Sequence, residues 1–468
     1  ARCQSILQSG RPDNDVLLYL PVYDFWNTPD GILLPFRVHN YDQWLNGSGF
    51  EEAAMMLWNK GYAFDMVSDQ FLARAQVQDG RILLGGNAYT TLVIPGCRVM
   101  PVQTLENLMR LIRKGATVLF SSSLPSDVPG MADLDRRREE FRKLLDAVSF
   151  GPEDPPSVRP CRIGKGTLLV GQLEPMLKAG RTAREESVDW QIQFIRRTHP
   201  EGHYYFFVNV SNQPVSRWIQ LSRPAHSAIF MDPVLGGPGL EAAQRQKDGH
   251  TQIYIQLDSG QSMIVKTFAE KEAAVQKWQY ILPHGDPIPV QGTWEVAFIE
   301  NGPIPPKSRQ LSELTSWTQW KDPQADCFAG TARYTIRFEK PVCQADCWLL
   351  DLGRVCDSAR PRLNGTPVAA LWSGPFRCRL SDSLFKEGFN TLEIDVTNLA
   401  ANRIRDLDRK KIRWKYFYDI NVVNIDYKPL DASGWPLRDS GLLGPVLLHP
   451  MEILSFDRIQ AEEPVKPT

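Results

Sequence analysis

The chain of 468 residues is too long for one hydrophobic core, because single cores stop growing at roughly 250–300 residues, and we expect two to four domains. Hydrophobic residues make up 43% of the sequence, charged residues make up 23%, and the formal net charge is -1. This balance excludes a strongly basic nucleic-acid surface, and no apolar stretch approaches the roughly 20 residues of a membrane-spanning helix. We therefore expect neither nucleic acid nor a membrane as a partner.

The first residues, "ARCQSILQSG", have the pattern of a helix that ends before Gly10. The chain begins with Ala1 rather than Met, and it shows no signal peptide, which would have a basic segment followed by an apolar one. We expect residues 1–12 to be the end of an upstream barrel domain. The compartment is therefore not deduced from this terminus.

Strand and helix signals alternate over residues 13–155. The apolar runs "DVLLYLPV", "TTLVIPG" and "ATVLFSS" are predicted strands, and "GFEEAAMMLWNKG" and "MPVQTLENLMRLIRKG" are predicted helices. This alternation predicts a parallel sheet with helices on both faces. We interpret the domain as α/β with a flavodoxin-like open sheet, in which residues 16–22 form the central strand and "YDFW" forms the loop after it.

Short strand signals dominate the rest of the chain. After the proline-rich segment "GPEDPPSVRP" they recur at roughly ten-residue intervals, which predicts a small antiparallel β-sandwich over residues 156–282. The segment "ILPHGDPIPVQG" marks a second break. Beyond it, the turn signals "LNGT" and "KEGFN" lie between alternating apolar runs and predict a jelly-roll domain over residues 283–460.

The cysteines and glycine-rich segments match no metal or nucleotide motif. Cys343 and Cys347 form a close pair, but no second pair lies at zinc-site spacing. Buried free thiols are our first interpretation of the cysteines, one or two disulfides the second, and a metal site the third. Pro200 and Gly202 make "HPEGH" a hairpin turn, and "LGGPGLE" lacks the strand–helix context of a phosphate-binding loop.

Polar and aromatic residues follow the predicted central strand. In an open parallel sheet, ligands bind beyond the carboxyl ends of the strands, where the strand order reverses. The candidates there, including those of the downstream segment "FRVHNYDQWL", are Tyr23, Asp24, Trp26, His39, Asn40, Asp42 and Trp44. Such polar side chains can bind sugar hydroxyls, and Trp can stack on a sugar ring. Alternatively, Asp24 caps a turn, His39 is an ordinary surface histidine, and the tryptophans serve packing.

A series of segments in one order over most of the chain carries a resemblance to a known family. They include "RCQSILQSGRPDNDVLLYLPVYDFW", "VHNYDQWL", "GYAFDMVSDQFL", "IQFIRRTHPEGHYYFFVNVSNQPV", "RLNGTPVAALWSGPF" and "EGFNTLEIDVTNLAANRIRD". Together they resemble the part of glycoside hydrolase family 106 α-L-rhamnosidases that follows the catalytic barrel. The last two also resemble the galactose-binding-like jelly roll of family 2 β-glycosidases.

The resemblance implies inverting hydrolysis of terminal α-L-rhamnose from plant or pectic glycans, often with calcium, by a secreted or periplasmic protein. Inversion needs two carboxyl groups roughly 6.5–9.5 Å apart. The family carries them on a (β/α)8 barrel of roughly 250 residues, for which there is no room before Arg2. The resemblance therefore implies no catalytic residue on this chain, and it implies the barrel as an upstream part or a partner subunit.

Two sets of supporting residues follow from the same resemblance. The first would close one side of a sugar pocket whose floor is the barrel: Tyr23, Asp24, Trp26, His39, Asn40 and Trp44. The second, in the jelly roll, would form a secondary sugar or calcium site: Asn364, Trp372, Asn398, Asn402, Arg403 and Asp406. Alternatively, Asn364 serves a turn and Arg403 a surface ion pair.

Three hypotheses for the whole chain result. The first is the C-terminal, non-barrel portion of a rhamnosidase-like hydrolase, either a fragment or one subunit of a split enzyme, with a rhamnose-containing glycan as its partner. The second is a free-standing carbohydrate-binding or scaffold protein without hydrolytic activity. The third places catalysis inside the chain, with Asp24 as one carboxylate and Asp42, Asp65 or Asp69 as the other.

Overall fold

The computed structural model of this chain is rich in sheet, with an α/β part and two β-rich parts. It describes residues 1–29, 31–33, 40–154, 157–271, 275–415 and 428–461. None of the described helices is both long and apolar enough to cross a membrane. The predicted combination of α/β and all-β architecture is confirmed at this coarse level.

The α/β part is built on a six-stranded sheet. The strands of residues 1–179 are β1 (Arg11–Pro12), β2 (Val16–Tyr19), β3 (Phe64–Val67), β4 (Gln76–Gln78), β5 (Arg81–Leu84), β6 (Asn87–Tyr89), β7 (Thr91–Ile94), β8 (Thr117–Ser121), β9 (Val158–Ile163) and β10 (Gly166–Gly171). The sheet order is β3-β2-β7-β8-β10-β9, parallel except for the edge strand β9. Its parallel strands follow the order 2-1-3-4-5 that flavodoxin-like sheets have. Strands β4, β5 and β6 form a separate small sheet.

Helices cover both faces of this sheet. The helices of residues 1–179 are α1 (Arg2–Leu7), α2 (Val22–Trp26), α3 (Tyr41–Trp44), α4 (Gly49–Asn59), α5 (Asp69–Leu72), α6 (Val102–Lys114), α7 (Leu134–Asp146) and α8 (Leu173–Ala179), with a 3-10 turn at Gly31–Leu33. Of these, α6 packs on one face of the sheet and α4 and α8 pack on the other. Alternate residues of β2 enter opposite cores, since Leu17 packs with the buried residues of α6 and Leu18 packs with those of α4 and α8. A strand buried on both faces needs a continuous apolar sequence, which "VLLY" provides.

Two boundaries differ from the sequence prediction. The central strand ends at Tyr19 rather than at residue 22, because Pro21 has no N–H for the sheet and instead precedes helix α2. The segment "YDFW" is therefore helical and is not a loop. In addition, β10 pairs in parallel with β8, so the α/β sheet extends to Gly171, past the predicted end at residue 155.

The second part is an antiparallel pair of sheets. Its strands are β11 (Ile192–His199), β12 (Gly202–Asn209), β13 (Val215–Gln220), β14 (Ser227–Met231), β15 (Leu240–Glu241), β16 (Gln244–Lys247), β17 (His250–Leu257) and β18 (Ser262–Phe268), preceded by a 3-10 helix at Glu186–Trp190. One sheet has the order β1-β11-β12-β18-β14-β15 and the other β13-β17-β16. Strand β1, predicted to end an upstream domain, thus pairs with β11 of this part.

The third part is a larger β-sandwich. Its strands are β19 (Tyr280–Pro283), β20 (Ile288–Pro289), β21 (Trp294–Gly302), β22 (Arg309–Leu311), β23 (Ala329–Glu339), β24 (Cys347–Asp351), β25 (Arg354–Cys356), β26 (Ser358–Leu363), β27 (Thr366–Pro367), β28 (Arg377–Ser381), β29 (Phe389–Thr397), β30 (Gly441–Gly444) and β31 (Leu447–Leu454). Its helices are α9 (Pro323–Asp326), α10 (Ala401–Arg409) and α11 (Phe456–Gln460), with 3-10 turns at Trp317–Gln319 and Asp382–Leu384. The core between the sheets contains Trp317, Trp348 and Phe328, all fully buried.

A buried ionic cluster joins the first and second parts. Arg196 on β11 lies 2.6 Å from carboxylate oxygens of Asp13, Asp15 and Glu185, and its side chain is 1% exposed. Arg223 also pairs with Asp13 and Asp15. Because these two aspartates directly precede β2, the cluster fixes the amino end of the central strand against the second part.

All eight cysteines are free thiols. Six are buried, namely Cys97, Cys161, Cys327, Cys347, Cys356 and Cys378, and Cys343 is exposed. The first interpretation of the cysteines, as mostly buried thiols, is confirmed.

Candidate functional site

The strand order of the α/β sheet reverses between β2 and β7, which are neighbours and both parallel to β8. The carboxyl ends of these two strands are Tyr19 and Ile94. Ligands of open α/β sheets bind at such a switch point. The segments that form its walls are residues 20–26, which contain α2, and residues 95–101, which lead into α6.

Asp24 connects these two walls. Its Oδ2 accepts a hydrogen bond of 2.8 Å from the backbone N–H of Arg98, and its Oδ1 accepts one of 2.6 Å from the N–H of Val99. Both carboxylate oxygens therefore hold the loop after β7 against helix α2. These contacts agree with the alternative in which Asp24 fastens a turn, and they give it a positioning role rather than a reacting one.

The aromatic residues of the first set gather around α2. The rings of Tyr23 and Trp26 meet edge to face with centroids 5.8 Å apart, and 46% of Trp26 is exposed. Phe25, on the buried face of α2, meets the ring of Trp44 at 5.7 Å and thereby fixes α3 beside α2. The structure thus brings Tyr23 and Trp26 together, with a partly exposed Trp26, and places Trp44 against Phe25 of the same helix.

Of the remaining polar candidates, the structure describes Asn40 and Asp42 but not His39. Asn40 immediately precedes α3, is half-buried and makes no capping hydrogen bond through its side chain. His39 lies outside the described residues, so its predicted role stays a prediction. Asp42 is exposed in the first turn of α3.

A polar cluster forms around Asp69, whose partners Tyr19 and Thr104 were not predicted from the sequence. Asp69 accepts hydrogen bonds from the hydroxyl of Tyr19, at 2.9 Å, and from that of Thr104. Burial, followed by the charge of Asp69, raises the pKa of the Tyr23 hydroxyl. Burial raises the pKa of the Cys97 thiol to about 12, with smaller contributions from Asp24 and Asp69, so this thiol stays protonated at neutral pH. A thiol in that form is a poor nucleophile.

The third hypothesis, catalysis by a carboxylate pair inside the chain, gains no geometric support. Asp65 accepts a hydrogen bond of 2.8 Å from the hydroxyl of Tyr89, while Asp69 is occupied by Tyr19 and Thr104. Asp65 and Asp69, both partly buried, therefore each already accept a hydrogen bond from a protein donor. The signal that would have predicted this is the placement of tyrosines on β2 and β6.

The second predicted set, in the third part, does not form one site. Asn364 occupies a turn at φ 52°. Its Nδ2 donates hydrogen bonds to Leu384 O and Asn390 Oδ1, and its Oδ1 accepts one from the N–H of Thr391. Asn398 follows the opposite end of β29, about 20 Å along the strand at 3.3 Å per residue. Asn364 therefore serves a turn, as the alternative interpretation proposed.

Asn398 and Asn402 meet at Ser440. The amide nitrogens of both donate to Ser440 Oγ, at 3.0 and 3.3 Å, and their amide oxygens accept the backbone N–H groups of Gly330 and Arg438. They fasten the end of β29 and the start of α10 to the segment before β30. Both side chains are thereby fully used inside the protein.

The remaining members of the second set lie on the surface. Arg403 pairs with Asp406 at 3.0 Å along α10, and Asp406 also pairs with Lys410. Trp372 is 61% exposed. No three His, Cys, Asp or Glu side chains among the described residues are grouped as metal ligands, and the amide oxygens of Asn398 and Asn402 already accept N–H groups. The second set therefore does not fit a calcium ion.

Comparison with known proteins agrees with this architecture. Residues 41–228 match the family described as alpha-L-rhamnosidase, glycoside hydrolase family 106. The fold of the chain is similar to that of the rhamnosidase from Novosphingobium sp. PP1Y, with a TM-score of 0.65 over 94% of this chain at 22% identity. The resemblance to family 106 is confirmed. The chain spans 39% of the length of the Novosphingobium protein.

A second relative shares part of the sequence with this family 106-like chain. A protein of Formosa agariphila named "Putative beta-glucuronidase" is 35% identical over 183 residues, which are 35% of this chain and 16% of that protein. Both relatives are named as glycosidases and both are much longer than this chain. The chain is thus similar to glycoside hydrolases in its fold and in part of its sequence.

Proposed function

We propose that these residues are the C-terminal, non-barrel portion of an α-L-rhamnosidase-like hydrolase that acts on plant or pectic glycans. The observation that carries the proposal is the fold match, in which 94% of this chain corresponds to 39% of a longer rhamnosidase. The family 106 match over residues 41–228 supports it from the sequence side. The catalytic pair then lies on the rest of the enzyme.

The first part contributes one wall of the sugar pocket in this proposal. Trp26 is 46% exposed beside the switch point, its ring meets that of Tyr23 at a right angle, and Trp44 lies beside α2 through its contact with Phe25. An exposed indole held by neighbouring rings suits stacking on the apolar face of a sugar. Asp24 keeps this wall in place through the N–H groups of Arg98 and Val99.

The β-rich parts have supporting roles in this proposal. The second part is a small antiparallel sandwich that is fixed to the central strand through Arg196. The third is a galactose-binding-like jelly roll. Their roles are to hold the aromatic wall against the barrel and to bind carbohydrate outside the catalytic pocket.

The aromatic wall is tested by replacing Trp26 in the enzyme that contains the barrel. For Trp26→Ala we expect KM for an aryl α-L-rhamnoside to rise about three- to tenfold with kcat nearly unchanged, because stacking that is equal in ground and transition states contributes about 0.5–1.5 kcal/mol. The control is Trp58→Ala, because Trp58 is 49% exposed near the far end of α4. Equal KM values for the two variants would show that Trp26 does not contact the substrate.

A second candidate substrate is a β-glucuronide, favoured by the name of the Formosa relative at 35% identity. The same enzyme assayed on an aryl α-L-rhamnoside and an aryl β-D-glucuronide separates the two proposals. Preferential turnover of the glucuronide would replace rhamnose as the substrate while leaving the assignment to a glycoside hydrolase intact.

A further inference from the structure

A small polar pocket opens at one end of the third part. It is formed by three segments, residues 354–357 in and directly after β25, residues 399–402 at the start of α10, and residues 438–440 before β30. Its volume is about 210 Å³. Pockets for drug-sized ligands have roughly 300–1,000 Å³, so this one suits a single ring.

The walls of the pocket are fixed by internal hydrogen bonds. Asn402 makes two hydrogen bonds with the backbone of Arg438. Its Nδ2 donates to the carbonyl oxygen at 2.8 Å, and its Oδ1 accepts the N–H at 2.9 Å. The carboxylate of Asp357 accepts the N–H of Leu399 at 2.9 Å through Oδ2. The three segments are therefore joined to one another, and the pocket exists without a ligand to organise it.

Donors and acceptors both remain available in the lining. The Arg438 guanidinium is exposed and makes no hydrogen bond or ion pair to any described residue. Arg354 pairs with Asp439 at 2.7 Å, yet its side chain stays 61% exposed. Asp357 uses Oδ2 for Leu399 and keeps Oδ1 for a further donor. Two arginines and two aspartates leave the lining with no net charge.

We propose that this pocket binds one sugar unit of the glycan through neighbouring hydroxyl groups. Carboxylates accept hydroxyl protons and guanidinium groups donate to hydroxyl oxygens, so a lining that contains Asp357 and Asp439 beside Arg354 and Arg438 offers both kinds of partner to a ring with adjacent hydroxyls. Leu399, 52% exposed, offers an apolar surface for the ring's C–H groups. A balanced charge of this kind does not favour a small inorganic anion.

The pocket is separate from the aromatic wall and from the predicted second set. Of that set only Asn402 lines it, and its amide is used to hold the wall. The inference rests on the proposed function only in the choice of sugar as the ligand.

Calorimetric titration of the whole chain tests the pocket independently of any hydrolysis. L-rhamnose, D-galactose and D-galacturonate are titrated separately, with inorganic phosphate as the non-sugar probe. We expect millimolar binding of at least one sugar, weakened about tenfold or more in Arg438→Ala and in Asp357→Asn, because each loses a charge-assisted hydrogen bond. Asn at position 357 still accepts the N–H of Leu399, and Arg438 is exposed, so both variants should keep the native thermal unfolding midpoint.

Arg360→Ala is the matched control, since Arg360 is an exposed arginine of the same sandwich outside the pocket. It should bind like the unmodified chain. Absence of binding by all three sugars would overturn the inference, as would binding that Arg438→Ala leaves unchanged or phosphate binding tighter than that of every sugar. The rhamnosidase proposal survives each of these results, because its test is turnover by the enzyme that contains the barrel.

Discussion

At the scale of single residues, Asp24 is an acid in the position expected of a catalytic residue, yet its hydrogen bonds give it a positioning role. It lies between aromatic residues at the carboxyl end of the central strand, where ligands of such sheets bind. Both of its oxygens nevertheless accept backbone N–H groups from a loop 74 and 75 residues further along the chain. The residue type and the local sequence were visible in advance, whereas the partners were not.

Asp24→Ala should loosen the loop after β7. The N–H groups of Arg98 and Val99 lose their acceptor, so we expect their hydrogen exchange to become faster by about tenfold or more, in line with about 1–3 kcal/mol per lost partner. Mass-spectrometric exchange of the peptide that contains both residues measures this. Asp42→Ala, at an exposed acid, is the control. Unchanged exchange in Asp24→Ala would show that these hydrogen bonds do not hold the loop.

At the scale of elements, local signals predicted those elements whose contacts are local. Helix α6 begins after Pro101, carries Arg113 and Lys114 in its last turn and ends at Gly115, with φ 121°, as its sequence pattern indicated. Helix α2 was predicted as a loop. Its five residues are too few for helical periodicity, and it is stabilised by Trp44 and by the loop after β7, neither of which adjoins it in sequence.

The ionic contact between the start of β2 and strand β11 could not be predicted from local sequence patterns, because Arg196 lies about 180 residues from Asp13 and Asp15. Replacing it leaves the fully buried Glu185 without its counter-charge, and it leaves Asp13 and Asp15 paired with Arg223 alone. We expect Arg196→Met to lower stability strongly, by about 3–5 kcal/mol, seen as a lower thermal unfolding midpoint. Arg142→Met, on the exposed face of α7, is the control. Equal midpoints for both variants would show that the cluster contributes no stability.

The same junction predicts a loss of stability in acid. Burial is the main cause that lowers the pKa of His203 to about 4, the charge of Asp13 opposes it, and the charges of Arg223 and Arg196 add to it. The pKa in the folded state lies below the unfolded value of 6.5, so the unfolded chain takes up the proton first as pH falls. The contribution of His203 is therefore intact above pH 6.5 and is lost progressively towards pH 4.

Asp13 extends this trend to lower pH. Burial alone would raise its pKa, but the hydrogen bond from Arg223 and the charge of Arg196 outweigh burial and lower the pKa to about 2. Its contribution is present above about pH 4 and is lost as pH falls towards 2.

Unfolding midpoints measured between pH 7 and 4 check the role of His203. We expect His203→Gln to flatten the decline over this range, while the exposed His284→Gln retains it. Parallel curves for His203→Gln and the unmodified chain would exclude His203 as the group responsible.

At the scale of the whole molecule, the sequence predicted the kinds of sheet better than their limits. The strands β9 and β10 follow a proline-rich break and were assigned to the sandwich, yet they complete the α/β sheet beside β8. Conversely, β1 pairs with the second part. Which sheet a strand joins depends on pairing partners distant in sequence, and a short apolar strand carries no local mark of its partner.

The candidate sites, too, could be predicted from the sequence only in part. A site for Tyr23 and Trp26 at the edge of the sheet followed from strand position, and their rings are in contact, whereas Trp44 contacts Phe25 on the buried face of the same helix. The pocket formed by Arg354, Asp357, Arg438 and Asp439 did not follow, because its walls come from three separate segments.

The central claim is that the catalytic carboxylates lie outside these residues. The direct measurement is turnover of an aryl α-L-rhamnoside by residues 1–468 alone, beside the same residues joined to their barrel at equal concentration. We expect no turnover above background for residues 1–468 and robust turnover for the joined enzyme. Robust turnover by residues 1–468 alone would contradict it.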